Sequence, residues 1–109
     1  MKIKICGIKN TTILDTCNHC DVDYYGLLFY KKSPRNINVK KAKDLINYQK
    51  NLKAIPVGVF VDHNIDDLCK LIKKINLKNV QLHGKENNEY ISKLKSEHNL
   101  NVIKTIKIQ

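Results

Sequence analysis

A length of 109 residues, with 42% apolar and 28% charged residues, is that of a single globular domain and excludes a disordered chain. No stretch approaches 18 apolar residues and the alternating start Met1–Cys6 lacks the form of a signal peptide, so we expect a cytoplasmic protein with no membrane partner. The net charge of +10 comes from 19 Lys and one Arg spread along the chain, a pattern of solvated faces that predicts no nucleic-acid partner.

The first predicted elements alternate between strand and helix. Residues 2–6 form a strand, and the polar cluster Asn10–Thr12 caps a short helix after it. The continuous apolar run at residues 24–30 is typical of a buried parallel strand. The polar segment 31–38 is a loop, and Asn38 at its end caps a second helix.

The same alternation continues to the end of the chain. Residues 55–61 form a third strand, and Asn64 caps a third helix. The apolar residues of that helix follow helical spacing: Ile65, Leu68, Cys69, Ile72 and Ile75. A fourth strand at residues 79–83, a fourth helix at 88–98 and a fifth strand at 101–106 complete the pattern.

This regular spacing of strands predicts an α/β fold with a parallel sheet. Each strand-to-strand interval has the length of one βα unit with a right-handed crossover. About four and a half such units in residues 1–109 predict one partial domain of the (β/α)₈ TIM barrel type, strands one to five of the fold. An open doubly wound sheet is the alternative, although no glycine-rich dinucleotide fingerprint follows the first strand.

The cysteines predict neither a disulfide framework nor a metal centre. Cys17 and Cys20 enclose His19 and resemble half of a zinc knuckle, but Cys69 provides no second pair of ligands. We interpret Cys17 and Cys20 as small, partly buried residues near the end of a helix. We therefore expect no metal site.

The first strand places a thiol where a barrel enzyme has its active site. Ile3 and Ile5 share one face, which we expect to meet the helices, while Lys4 and Cys6 share the other and would point into the barrel. Cys6 would lie at the carboxyl-terminal rim, where the active sites of such barrels lie. A nearby ammonium favours the thiolate, so Cys6 is a candidate base or nucleophile and Lys4 a candidate binding residue. The alternative is a core cysteine and a surface lysine.

The fourth strand repeats this arrangement. Val80 and Leu82 share one face, and Gln81 and His83 share the other, so the last two would point inward at the same end as Cys6. A single histidine is more often structural than catalytic. The pairing of an inward amide with an inward imidazole favours a binding site.

Arg35 is the third candidate, because it is the one arginine in a lysine-rich chain. A planar guanidinium binds a carboxylate or phosphate through two parallel hydrogen bonds, which an ammonium cannot do. Arg35 lies in the loop after the second strand, at the same predicted rim. The alternative is a surface arginine without a role.

These motifs resemble the phosphoribosylanthranilate isomerase family in order and spacing, over essentially the whole chain. The matching segments are residues 4–8, 26–30, 32–35, 57–61, 80–84 and 102–104. The resemblance implies a (β/α)₈ barrel without a cofactor. It also implies an Amadori rearrangement of N-(5-phosphoribosyl)anthranilate, a phosphorylated small molecule, in tryptophan biosynthesis.

The resemblance assigns roles to the candidate residues. Cys6 matches the general base, which removes the C2′ proton of a Schiff-base intermediate. Arg35 matches the arginine that holds the anthranilate carboxylate, and Gln81 and His83 match residues that line the pocket. Departures from the family pattern are Lys85, where an acid is usual, and Asp21, where a glycine is usual.

Two parts of the family's site lie outside these 109 residues. The general acid is an aspartate at the end of the sixth strand, and the phosphate site follows strands seven and eight. We therefore expect no appreciable turnover from this chain alone, because one of two proton-transfer roles is missing. A complementary carboxyl-terminal half, or self-association, is the expected partner. An inactive or split fragment that acts only as a binding or complementation module is the alternative function.

Overall fold

The structure is a computed structural model that describes residues 3–19, 22–49, 53–98 and 100–104. Its strands are β1 (Lys4–Cys6), β2 (Tyr24–Leu28), β3 (Ile55–Phe60), β4 (Asn79–Leu82) and β5 (Asn101–Lys104). Its helices are α1 (Thr11–His19), α2 (Val39–Gln49), α3 (Ile65–Ile75) and α4 (Asn88–His98). Each predicted strand and helix is confirmed, although residues 2, 105 and 106 of the predicted first and fifth strands lie outside the described residues. Strands β2, β3 and β4 end slightly earlier than predicted, because Tyr30, Val61 and His83 already belong to the loops.

The five strands form one parallel sheet in the order β1-β2-β3-β4-β5. Successive helices contact one another in the same order, so all four cover one face of the sheet. A doubly wound sheet reverses its strand order at a switch point and carries helices on both faces. The consecutive order therefore confirms an α/β arrangement of the (β/α)₈ type and excludes the doubly wound alternative.

An asparagine caps the amino terminus of every helix in the part of the chain that the structure describes. The caps are Asn10, Asn38, Asn64 and Asn87, and each accepts a hydrogen bond from a backbone N–H of the first turn through its Oδ1. A side-chain acceptor at this position satisfies an amide that has no partner within the helix. Asn38, Asn64 and Asn10 of the predicted cap cluster were expected from the sequence, and the cap at Asn87 was not.

The core lies between the sheet and the helices. On the helix-covered face of the sheet, Tyr25, Leu27, Phe60, Val80 and Leu82 are buried. The helices contribute buried residues at helical spacing: Leu14, Ala42, Leu45, Leu68, Ile72, Ile75 and Leu94. The amphipathic pattern predicted for the third helix is confirmed by the burial of Leu68, Ile72 and Ile75. None of the described helices is long and apolar enough to span a bilayer.

The two edges of the sheet leave large apolar side chains exposed. Ile3 and Ile5, which were expected to meet the helices, are 44% and 40% exposed, so helices cover them only in part. At the opposite edge, Ile103 of β5 is 47% exposed.

The structure does not describe the side chains of Cys17 and Cys20. The interpretation of these two cysteines as small, partly buried residues therefore lies outside the described residues and stays a prediction.

Candidate active site

A pocket of about 220 Å³ opens at the carboxyl ends of the strands, on the sheet face that the helices leave uncovered. Its lining side chains come from the ends of β1 to β4 and the loops that follow: Cys6, Leu28, Tyr30, Ser33, Arg35, Val59, Val61, Gln81 and His83. Parallel strands bring their carboxyl ends to one edge of the sheet, which is why residues distant in sequence meet here. Four of the five candidate residues therefore share one pocket.

Cys6 is the last residue of β1 and pairs in register with Gly26 of β2. A Cβ on residue 26 would lie 2.9 Å from the Cys6 Sγ, so the absence of a side chain there leaves room for the thiol. The N–H groups of Gly7 and Ile8 both donate to the Gly26 carbonyl oxygen, at 3.0 and 3.2 Å. These hydrogen bonds fix the carboxyl end of β1, and with it the Cys6 thiol, against β2.

Arg35 reaches the same pocket from the loop between β2 and α2. The Ser33 hydroxyl accepts the Arg35 N–H at 3.1 Å, and the Ser33 N–H donates to the Tyr30 carbonyl oxygen at 3.0 Å. The Arg35 side chain crosses Gly7, where a Cβ would lie 2.6 Å from the Arg35 Cδ. Gly7 also has a φ of 83°, which L side chains rarely adopt. Glycine at position 7 therefore permits both the turn and the approach of the guanidinium.

Gln81 and His83 lie on β4 and directly after it, with Leu82 between them buried in the core. Their alternation with Leu82 directs both side chains to the uncovered face. The His83 N–H donates to the Phe60 carbonyl oxygen at 2.9 Å, which extends the pairing of β3 and β4 to the rim. Both side chains line the pocket beside Cys6.

Lys4 does not line this pocket. It lies two residues before Cys6 on β1, paired with Tyr24, and so faces the same side at a deeper level of the sheet. A role for Lys4 in binding stays a prediction.

Tyr30 and Ser33 line the pocket without having been predicted, since nothing in a polar loop distinguishes a lining residue from a solvated one.

A buried carboxylate behind the rim was also missed. The Glu86 side chain is 1% exposed and pairs with the Lys104 ammonium at 2.9 Å through its Oε1. The same oxygen accepts the Gly84 N–H at 2.9 Å, and Oε2 accepts the Asp62 N–H at 2.9 Å. Burial raises the pKa of Glu86, but the hydrogen bonds from Lys104, Asp62 and Gly84 outweigh that effect and lower the pKa below the ordinary value of 4.5.

We expect this carboxylate to make the stability of the chain sensitive to acid. Because the folded-state pKa of Glu86 is lower than the unfolded-state pKa, the ionised form stabilises the fold above the unfolded value. That contribution is lost as the pH falls through the folded-state pKa. Glu86→Gln should therefore lower the free energy of unfolding by about 2 kcal/mol at pH 7 and by progressively less below about pH 4.5.

Urea denaturation of both chains between pH 7 and pH 3 measures this difference. Glu89→Gln, which removes an exposed carboxylate from the first turn of α4, controls for the loss of one negative charge. A difference between wild type and Glu86→Gln that stays constant over the whole pH range would contradict the prediction.

Comparison with known proteins gives one family. The family whose sequence profile matches is N-(5'phosphoribosyl)anthranilate (PRA) isomerase, over residues 3–109. An N-(5'-phosphoribosyl)anthranilate isomerase from Clostridium beijerinckii is 38% identical over 111 residues, which are 99% of this chain and 47% of the relative. The chain therefore spans about half the length of the curated relatives that it matches.

Solved structures agree with the sequence comparison. Monomers of the dimeric phosphoribosylanthranilate isomerase from Thermotoga maritima match with a TM-score of 0.88 and 30% identity, over 100% of this chain and 55% of theirs. A phosphoribosyl anthranilate isomerase in complex with reduced 1-(o-carboxyphenylamino)-1-deoxyribulose 5-phosphate matches with a TM-score of 0.86 and 30% identity, over the same shares. The chain thus superimposes on about half of each of these proteins.

Proposed function

The chain belongs to the phosphoribosylanthranilate isomerase family, and we propose that it supplies the base and the carboxylate-binding half of an isomerase acting on N-(5-phosphoribosyl)anthranilate. The product would be 1-(2-carboxyphenylamino)-1-deoxyribulose 5-phosphate, formed by an Amadori rearrangement in tryptophan biosynthesis. A relative's complex with the reduced form of that compound supports the choice of ligand. The cytoplasmic location stays a prediction.

The observation that carries this proposal is the meeting of Cys6 and Arg35 in one pocket with Gln81 and His83. The anthranilate carboxylate would accept two hydrogen bonds from the Arg35 guanidinium, which fixes the aromatic end of the substrate. After ring opening gives a Schiff base, Cys6 as general base would remove the C2′ proton. The resulting enolamine then tautomerises to the ketone, and Gln81 and His83 would bind the substrate's polar groups.

The small volume of the pocket supports the proposal that further strands complete the site. Its volume of about 220 Å³ is below the roughly 300–1,000 Å³ of pockets that enclose a small molecule. Its open side is the uncovered face of the sheet. We expect the ring-opening acid and the phosphate site to come from that side.

The partner that fits this face is a carboxyl-terminal half with three more strands. Ile5 on β1 and Ile103 on β5 are exposed at the two sheet edges, which are sites of pairing. Eight strands close a barrel of this type, whereas a second copy would bring five. Two copies would also combine two net charges of +10, which repel each other. The complementary half is therefore a better partner than a second copy.

A chimaera tests the proposed function. Residues 1–104 of this chain would be continued into the carboxyl-terminal half of the Clostridium beijerinckii relative, which is 38% identical in the half that it shares with this chain. We expect the chimaera to convert N-(5-phosphoribosyl)anthranilate to the deoxyribulose product, because it unites the base with the acid and the phosphate site. Product formation would be followed by chromatography.

The two halves assayed separately are the controls, and neither should show appreciable turnover. A chimaera that unfolds cooperatively but forms no product, while the intact relative does, would contradict the proposed function. Product formation by the 109-residue chain alone would contradict the need for a second half.

A further inference from the structure

We propose that Glu86 and Lys104 are positioning residues for the pocket, which hold the exits of β3, β4 and β5 so that Gln81 and His83 face Cys6. Neither residue lines the pocket. The proposal deepens the proposed function and rests on it, because it assigns to this ion pair the geometry of the substrate-binding wall.

The first step is the peptide that follows His83. The Gly84 N–H donates to Glu86 Oε1 at 2.9 Å, and the Gly84 carbonyl oxygen accepts a hydrogen bond from Lys104 Nζ. The ion pair therefore holds residue 84 through both its polar backbone groups. Since His83 is covalently joined to Gly84 and its own N–H is bound to β3, the backbone on both sides of the imidazole is fixed.

The second step is the exit of β3. Glu86 Oε2 accepts the Asp62 N–H at 2.9 Å, and Asp62 Oδ1 in turn accepts the Lys85 N–H. Asp62 has a φ of 52°, a left-handed value that is uncommon for residues other than glycine and that these hydrogen bonds stabilise. Val61, directly before it, lines the pocket. The Glu86 carboxylate thus joins the residues that follow β3 and β4. Its ion pair with Lys104 links the third strand, β5, to the same group.

The third step is the energetic cost of this arrangement. Within the ranges that the structure describes, Glu86 is the one charged side chain that is buried. Burying an ion pair seldom stabilises a fold more than apolar residues of the same volume would, because both charges lose their hydration. Here the pair makes its hydrogen bonds to loop backbone behind a pocket wall. A role in fixing that wall accounts for a buried charge that packing alone does not require.

Steady-state kinetics of the chimaera test the proposal. Glu86→Gln and Lys104→Met should each raise KM about tenfold and change kcat less than threefold, since they displace the binding wall and leave Cys6 in place. The double variant should raise KM no further than either single variant, because the two residues act as a unit. Lys104→Arg, which keeps the charge, should restore most of the affinity, and Glu89→Gln should behave as wild type.

The assays would be run at a temperature at which circular dichroism shows every variant folded, so that a loss of stability alone moves neither constant. Unchanged KM in both single variants, or additive effects in the double variant, would overturn the proposal.

An inactive wild-type chimaera would contradict the proposed function. In that case, backbone amide resonances measured by NMR would test the positioning role of Glu86 without an activity assay. Glu86→Gln should shift the amide resonances of Gln81 and His83 and speed hydrogen exchange at Gly84. Unshifted resonances would overturn the proposal whatever the activity.

Discussion

Replacing Cys6 by Ala should lower the kcat/KM of the chimaera by about 1,000-fold, because a positioned general base contributes roughly 10²–10⁴-fold. The thiol lies at the end of β1, in the pocket that Arg35 also lines, and the neighbouring Gly26 leaves it unobstructed. Since Cys6 would act on the C2′ proton and not on the ground-state substrate, most of the loss should appear in kcat. Steady-state rates over a range of substrate concentration separate the two constants.

Cys69→Ala is the matched control, because it removes a thiol from α3 that does not line the pocket. It should leave kcat within about twofold of wild type, on the general expectation for a residue remote from the chemistry. Cys6→Ser tests the chemistry further, since a hydroxyl of similar size is a far weaker base at neutral pH. A Cys6→Ala variant that keeps a third or more of the wild-type kcat would exclude Cys6 as the base.

Replacing Arg35 by Ala should raise KM by roughly 100-fold or more, because hydrogen bonds to a charged group contribute roughly 1.5–3 kcal/mol each and the guanidinium would make two. The Arg35 N–H is held by the Ser33 hydroxyl and the side chain crosses Gly7, so the guanidinium is directed into the pocket by its surroundings. Titration with the reduced deoxyribulose product, followed by calorimetry, would measure the same loss as a higher Kd.

Arg35→Lys separates charge from shape. A lysine keeps the charge but cannot make the paired hydrogen bonds, so we expect it to recover only part of the affinity. Lys32→Ala, which removes an exposed charge from the same loop, should change KM little. Full recovery of KM in Arg35→Lys would show that a point charge suffices and would contradict the bidentate arrangement.

The strands and helices could be predicted from the sequence because local signals specify them. The apolar run at residues 24–30 and the helical spacing from Ile65 to Ile75 are visible without knowledge of any other element. The packing of Ile3 and Ile5 could not be predicted in the same way. It depends on how far other elements cover the outer face of β1, and 44% of Ile3 and 40% of Ile5 stay exposed there.

The shared pocket of Cys6, Arg35, Gln81 and His83 was predictable for a general reason. Parallel strands end at one edge of the sheet, and the period of two tells which side chains face away from the helices. The Glu86–Lys104 pair was not predictable, since the loop after β4 and the end of β5 meet only after folding. No periodicity or motif links a residue of one loop to a residue of the next strand.

The consecutive strand order also bears on how the chain is made. Each strand pairs only with the strands before and after it in sequence, so each βα unit can dock on its predecessor as soon as it leaves the ribosome. Strand β1 lies at one edge of the described sheet, an edge that only the last strand of a complete eight-stranded barrel would cover. Among the described strands, β1 is translated first, so its edge stays open while the later units are made, and a chaperone that shields short apolar segments would find the exposed Ile3 and Ile5 accessible during that time.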